Sequence, residues 1–158
     1  MTSLTPDAFA KLAAELAIRN LVARIFLLAD QAPDLDEYLT CFTEDAIWER
    51  VGDDGRPPPG AHVGSRLVGV EAIAADRRKI REVGYQGPGT NTWHVNTTLA
   101  VRVNDDGTAD AESYWLFVES LEQTRVRSIG HYRDRFRLTE GGWKLAHRRF
   151  RIGGTKSA

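Results

Sequence analysis

Cysteine is almost missing from this chain. Cys41 is the single one among 158 residues, so no internal disulfide can form and no cysteine cluster can hold a metal. Long apolar runs are missing as well. The longest, around Leu21 to Ala29, contains Arg24 and follows Arg19, short of the roughly 20 residues a spanning helix needs. No membrane partner is therefore expected. The first residues carry no basic n-region and no clean cleavage site, which makes a cytoplasmic location the expectation. Neither sign of charge is in surplus: 21 basic against 22 acidic residues leave a net charge of −1. That argues against a dedicated nucleic-acid binder. There is no glycine-rich phosphate loop. The four histidines, His62, His94, His131 and His147, lie too far apart for a local ligand set, so neither metal nor organic cofactor is expected.

What remains is the makeup of one ordinary domain, with 42% hydrophobic and 27% charged residues. One core can form over the whole chain, 1–158, and disorder is not expected. The first half has helical spacing. Thr5-Pro6-Asp7 is a start signal, a cap followed by proline at the first helical position. From there to about Gln31, Phe9, Leu12, Leu16, Leu21, Ile25 and Leu28 recur at helical intervals. Pro33 ends the run. Asp34 with Glu37 predicts a capping box for a short helix carrying Leu35, Tyr38, Leu39 and Phe42. Ala46 to Glu49 predicts a first strand. The Pro/Gly-rich stretch 52–64 predicts a long loop, a lid or a floppy excursion. Arg66 to Val68 predicts a short strand, and Gly69 to Val83 a third helix closed by Gly84.

The second half changes period. Thr92–Val103, Thr108–Leu121, Arg125–Leu138 and Trp143–Ile152 predict four long strands, with turns at Asn104–Gly107 and Glu140–Gly142. Residues 153–158 read as a tail. Helices first and an antiparallel meander after is the α+β pattern.

These segments, taken in order, are recognisable. Ala29-Asp30, Asp34 and CFTEDAIW, then GVEAI, TWHVNTTLAV, DGTADAESYWLFV and GHYRDRFRLTEGGWKLAHRRF resemble the SnoaL-like branch of the NTF2-like (cystatin-like) superfamily. The resemblance covers nearly the whole chain. It implies a cone-shaped barrel: a strongly curved, mostly antiparallel sheet with the N-terminal helices on its concave face. It is far less specific for activity. The same scaffold serves scytalone dehydratase, bile-acid 7α-dehydratase, hexachlorocyclohexane dehydrochlorinase, ketosteroid isomerase, polyketide cyclases and small non-catalytic subunits of ring-hydroxylating dioxygenases.

The enzymes most similar to this branch pair an aspartate on the first long helix with a histidine on a central strand, and Asp30 and His94 fall on those positions. The residues support the pairing independently. Asp30 ends a heavily apolar helix, where an unpaired carboxylate is costly, and His94 lies in an apolar-rich strand. If they meet, Asp30 holds one ring nitrogen protonated and the other becomes a general base. Expected companions in substrate binding are Asn96, which shares strand parity with His94, the hydroxyls of Tyr114 and Tyr132, and the apolar walls of Ile25 and Trp48. Relatives that place a tyrosine near the helix aspartate depart from this chain, which has Ile25 and Ala29 there. Asp134 is expected in a structural salt bridge, and Arg148 and Arg149 at the surface. His131 is expected on the outer face.

Ten basic and two acidic residues between Arg125 and Ala158 make the last part basic. The expected use is pairing with Asp110, Glu112, Glu119 and Glu122 across the sheet, or across a subunit contact. The functional expectation is a cofactor-free acid–base lyase, dehydratase-like, or an isomerase, acting on a small hydrophobic, cyclic substrate, in a homo-oligomer of two or three chains. An enzyme is favoured. The alternatives are a non-catalytic ligand-binding or oxygenase-subunit protein, and a polyketide cyclase-type enzyme.

Overall fold

A computed structural model describes residues 5–51 and 66–153. The loop expected at 52–64, with His62, and the tail after Gly153 lie outside the described residues. The elements run α1 Pro6–Gln31, α2 Asp36–Thr40, β1 Phe42–Arg50, β2 Arg66–Val68, α3 Val70–Glu82, β3 Thr92–Val103, β4 Thr108–Ser120, β5 Thr124–Thr139 and β6 Gly142–Ile152. The fold is α+β, as expected. The strands form one curved six-stranded sheet in the order β2-β1-β6-β5-β4-β3. The sheet is open, with β2 and β3 at its edges, and does not close into a barrel.

The four meander strands pair antiparallel as their turns dictate, β3 with β4, β4 with β5 and β5 with β6. At the β3–β4 turn, Asn104 N–H donates to Thr108 O at 2.9 Å, and Gly107 supplies the positive φ of 75° that this tight turn needs. One pairing is parallel: β1 lies beside β6, with Trp48 opposite Arg148. Those strands are far apart in sequence, so no turn signal announces them.

Helix α1 starts as its cap predicts, Thr5 Oγ1 accepting from Ala8 N at 3.2 Å. Its buried face, Ile18, Val22, Ile25, Phe26, Ala29 and Asp30, meets the sheet. The capping box expected at Asp34 does not form. Asp34 Oδ1 accepts from Asp36 N at 3.0 Å, a local turn, while Glu37 pairs with Arg24 of α1. Phe42, expected on that helix, begins β1 instead, because Cys41 O accepts from Leu145 N and draws the chain onto β6.

Strand β4 alternates strictly: Ala109, Ala111, Ser113, Trp115 and Phe117 face the helices and are buried. Arg148, expected at the surface, has 0% exposure. It stands opposite Asp134 on the inner face and donates from Nε and Nη2 to both carboxylate oxygens, at 2.8 and 2.5 Å. The guanidinium is packed among rings, 4.0 Å from the centroid of Tyr132 and 5.0 Å from that of Trp48. Burial alone would pull Arg148 down, but the charge and hydrogen bonds of Asp134 outweigh it and raise it. On the outer face the arginines do pair across strands: Arg133 with Glu112 at 3.2 Å, and Arg102 with Asp110 at 3.2 Å.

Candidate active site

The end of α1 and the start of β3 place one carboxylate against one imidazole. Asp30 is buried at 6% exposure, and it is not left unpaired. Its Oδ2 accepts the backbone N–H of His94 at 2.7 Å, and its Oδ1 lies 2.8 Å from His94 Nδ1. The two bonds to one residue lock the strand to the helix and fix the ring. A carboxylate only accepts, so Nδ1 carries the proton in the neutral ring and Nε2 is left bare. Nε2 makes no hydrogen bond among the described residues. Rings hold the imidazole on both sides: Phe26 stacks at 5.5 Å with an interplanar angle of 23°, and Phe117 lies at 4.8 Å.

His94 opens onto a cavity of about 380 Å³ between α3, the segment 83–86 and the inner face of the sheet. Its walls are aromatic, chiefly Trp48, Trp115, Phe117, Tyr132 and Phe150. Burial pushes the Tyr132 phenol well above its ordinary value of 10.0, so this wall presents a neutral hydroxyl. The volume suits a ring-sized molecule.

Of the residues expected to bind substrate, Trp48 and Tyr132 line this cavity. Ile25 does not; it is buried in the contact of α1 with the sheet. Asn96 points inward, but its Nδ2 donates to Ser113 Oγ at 2.9 Å and it is not a wall of the cavity. Tyr114 is a correction. It is 57% exposed and lies on the opposite face of the sheet against His131, with ring centroids 5.3 Å apart. Strand parity decides this: its neighbours Ser113 and Trp115 point in, so Tyr114 points out.

Among the polar residues of the cavity that were not anticipated, Gln86 and Arg77 reach toward the dyad. Gln86 is buried and donates from Nε2 to Asp30 Oδ1 at 3.4 Å. Arg77 approaches the same amide from the other end, Nη1 to Gln86 Oε1 at 3.5 Å, and lies over Trp48 with its guanidinium 5.1 Å from the ring. Arg77 had a legible signal, since it stands four residues after Ile73 and three before Ile80, on the apolar face of α3. Gln86 had none beyond its place in a run with glycine at positions 84, 87 and 89. No group of three or more potential metal ligands occurs among the described residues, and no described helix is long and apolar enough to cross a membrane.

A family model described as SnoaL-like domain matches residues 10–149. Solved structures share the fold. An NTF2-like protein with a cystatin-like fold from Novosphingobium aromaticivorans is 23% identical, with a TM-score of 0.74 over 99% of this chain and 94% of that one. A protein from Catenulispora acidiphila, solved in complex with S-DNPA, is 23% identical, with a TM-score of 0.68 over 89% and 94%. The beta subunit of a candidate aromatic-ring-hydroxylating dioxygenase from N. aromaticivorans is 18% identical, with a TM-score of 0.67 over 95% of each chain. No curated protein matches.

Proposed function

The chain belongs to the SnoaL-like domain family, and from that premise we propose that it is an acid–base lyase, dehydratase-like, or an isomerase for a small hydrophobic cyclic molecule, working through Asp30 and His94. The observation that carries the reading is the 2.8 Å contact of Asp30 Oδ1 with His94 Nδ1 beside an aromatic cavity. In a dehydration, bare Nε2 takes a proton from a substrate carbon. The electron pair of that C–H bond forms the new C=C bond as the neighbouring C–O bond breaks. The departing hydroxyl recovers the proton from Nε2 and leaves as water. Asp30 stabilises the imidazolium between the two transfers and keeps the ring turned, the role of the orienting carboxylate in other base–carboxylate pairs. In an isomerisation the same proton returns to a different carbon.

The S-DNPA complex of the C. acidiphila protein supports a ligand-holding cavity in this fold. A second reading, a non-catalytic subunit, draws support from the likeness to the dioxygenase beta subunit. It gives the buried dyad no task. Turnover separates the two. Incubation with a panel of cyclic β-hydroxy carbonyl compounds, followed by mass spectrometry for loss of water, is expected to find substrates for the wild type. His94→Ala then abolishes that turnover, and Asp30→Asn lowers it by about 10²–10⁴. Near-wild-type turnover by His94→Ala ends the proposal. A homo-oligomer of two or three chains and a cytoplasmic setting belong to the same reading; light scattering tests the first, and a single-chain mass contradicts it.

A further inference from the structure

Arg77 is an expensive residue to place in an aromatic cavity. Its side chain is 15% exposed, and that of its neighbour Asp76 is 9% exposed. A guanidinium has five N–H groups. Nε and Nη2 each donate to Asp76 Oδ2, at 3.2 and 2.6 Å, and Nη1 makes the long 3.5 Å contact with Gln86. Among the described residues that accounts for three, so the two terminal nitrogens keep N–H groups at the cavity wall. Such donors are costly unless something in the cavity accepts from them. Asp76 also decides what that acceptor is. It neutralises the guanidinium at close range, so the pair offers directed N–H groups with little net positive field. A carboxylate ligand would meet Asp76 as well as Arg77, whereas a neutral carbonyl oxygen accepts without that repulsion.

The arginine is tied to the base. Gln86 touches Arg77 with its oxygen and Asp30 with its nitrogen, and Asp30 holds His94. One buried amide therefore sets the spacing between the N–H donors and the imidazole in a single cavity.

Building on the acid–base reading, we propose that Arg77 is the specificity-determining residue of the cavity and that it receives the carbonyl oxygen of a neutral ketone or enone, within or attached to a ring system, whose adjacent carbon faces His94. Proton loss from that carbon moves the electron pair toward the oxygen. Donors already aimed there strengthen as the enolate charge develops and require no reorganisation.

Calorimetric titration with three isosteric probes tests this without turnover: 2-acetonaphthone (ketone), 2-isopropenylnaphthalene (its hydrocarbon analogue) and 2-naphthoate (carboxylate). The wild type is expected to bind the ketone at least about tenfold tighter than the hydrocarbon, since a buried donor left without its acceptor is penalised, and no more weakly than the carboxylate. Arg77→Met, which keeps the apolar stem over Trp48, brings ketone and hydrocarbon within about twofold. Arg77→Gln, with one neutral donor group, retains part of the difference. His94→Ala keeps the preference intact. The proposal is overturned if the wild type fails to bind the ketone or to prefer it, if the carboxylate binds tightest, if a folded Arg77→Met retains the preference, or if His94→Ala loses it. The wild-type comparison stands even where a variant fails to fold. A missing preference leaves the acid–base reading intact, and an inert His94 in turnover leaves the preference intact.

Discussion

Gly130 stands where no side chain fits. A Cβ there would overlap the Trp115 indole at Cε2 and Cζ2, and the carbonyl of Arg151. The indole lies over this position because the two residues are register partners on β4 and β5. Gly130→Ala must push back a cavity wall or the β6 backbone, so it is expected to cost about 1–3 kcal/mol, read as a lowered denaturant midpoint; an unchanged midpoint contradicts the packing. Asp134 carries more. Asp134→Ala leaves Arg148 charged, buried and without its only ion-pair partner among the described residues, with an expected loss of about 3–5 kcal/mol. Urea unfolding checks it, and a loss under about 1 kcal/mol would mean the pair is not buried as described. At this scale the sequence told unequal amounts. The alternation along β5 is plain in the sequence, but it does not say where a tyrosine of the neighbouring strand points. Tyr114 is therefore expected in the cavity but lies outside it. Arg148 is expected at the surface, since an arginine is ordinarily exposed and only the partner strand reveals Asp134, yet it is the most buried charge among the described residues. The contact of Asp30 with His94 is legible through the resemblance and through the cost of a lone carboxylate on an apolar helix.

Among elements, the last turn of α1 deserves a test because it carries Asp30. No basic residue lies in that turn, and its carbonyls are satisfied from elsewhere. Arg81 of α3 donates from Nη2 to Leu28 O and Ala29 O, at 3.2 and 3.3 Å, and from Nη1 to Asp34 O at 3.3 Å. It is a cation at the negative end of the helix and a bridge to the following turn. Arg81→Met is expected to speed amide hydrogen exchange of Ala29 to Ala32 by about tenfold while leaving the meander unchanged; unaltered exchange there would remove Arg81 from this role. The helices and the four long strands were readable from period and punctuation, since Thr5-Pro6 and the Asn104–Gly107 turn act locally. The parallel β1–β6 pairing, the bulge that slips β4 against β5 between Phe117 and Val118, and the open edge of the sheet are non-local. That bulge brings Arg125 and Arg127 onto Glu119, at 2.5 and 3.2 Å, and carries Arg127 over the Tyr85 ring at 5.0 Å, a placement that simple alternation along β5 does not foretell.

For the molecule as a whole, pH reports on the core. Burial raises the phenols of Tyr38 and Tyr132 above 10.0 and the Cys41 thiol above 9.0. In the unfolded chain these groups lose protons near their ordinary values, while the folded chain keeps them. Their contribution to stability is therefore complete below about pH 9 and declines as pH rises through 9 to 11. Urea midpoints at pH 8 and pH 10.5 are expected to show that fall; a flat profile contradicts it. The most direct measurement concerns the dyad. Nitrogen-15 NMR of the histidine side chains, at a pH where the ring is neutral, reports which nitrogen of His94 holds the proton. The geometry predicts a proton on Nδ1 and a bare Nε2, with the preference lost in Asp30→Asn. A proton on Nε2 in the wild type would leave the cavity without its base and contradict the proposed chemistry.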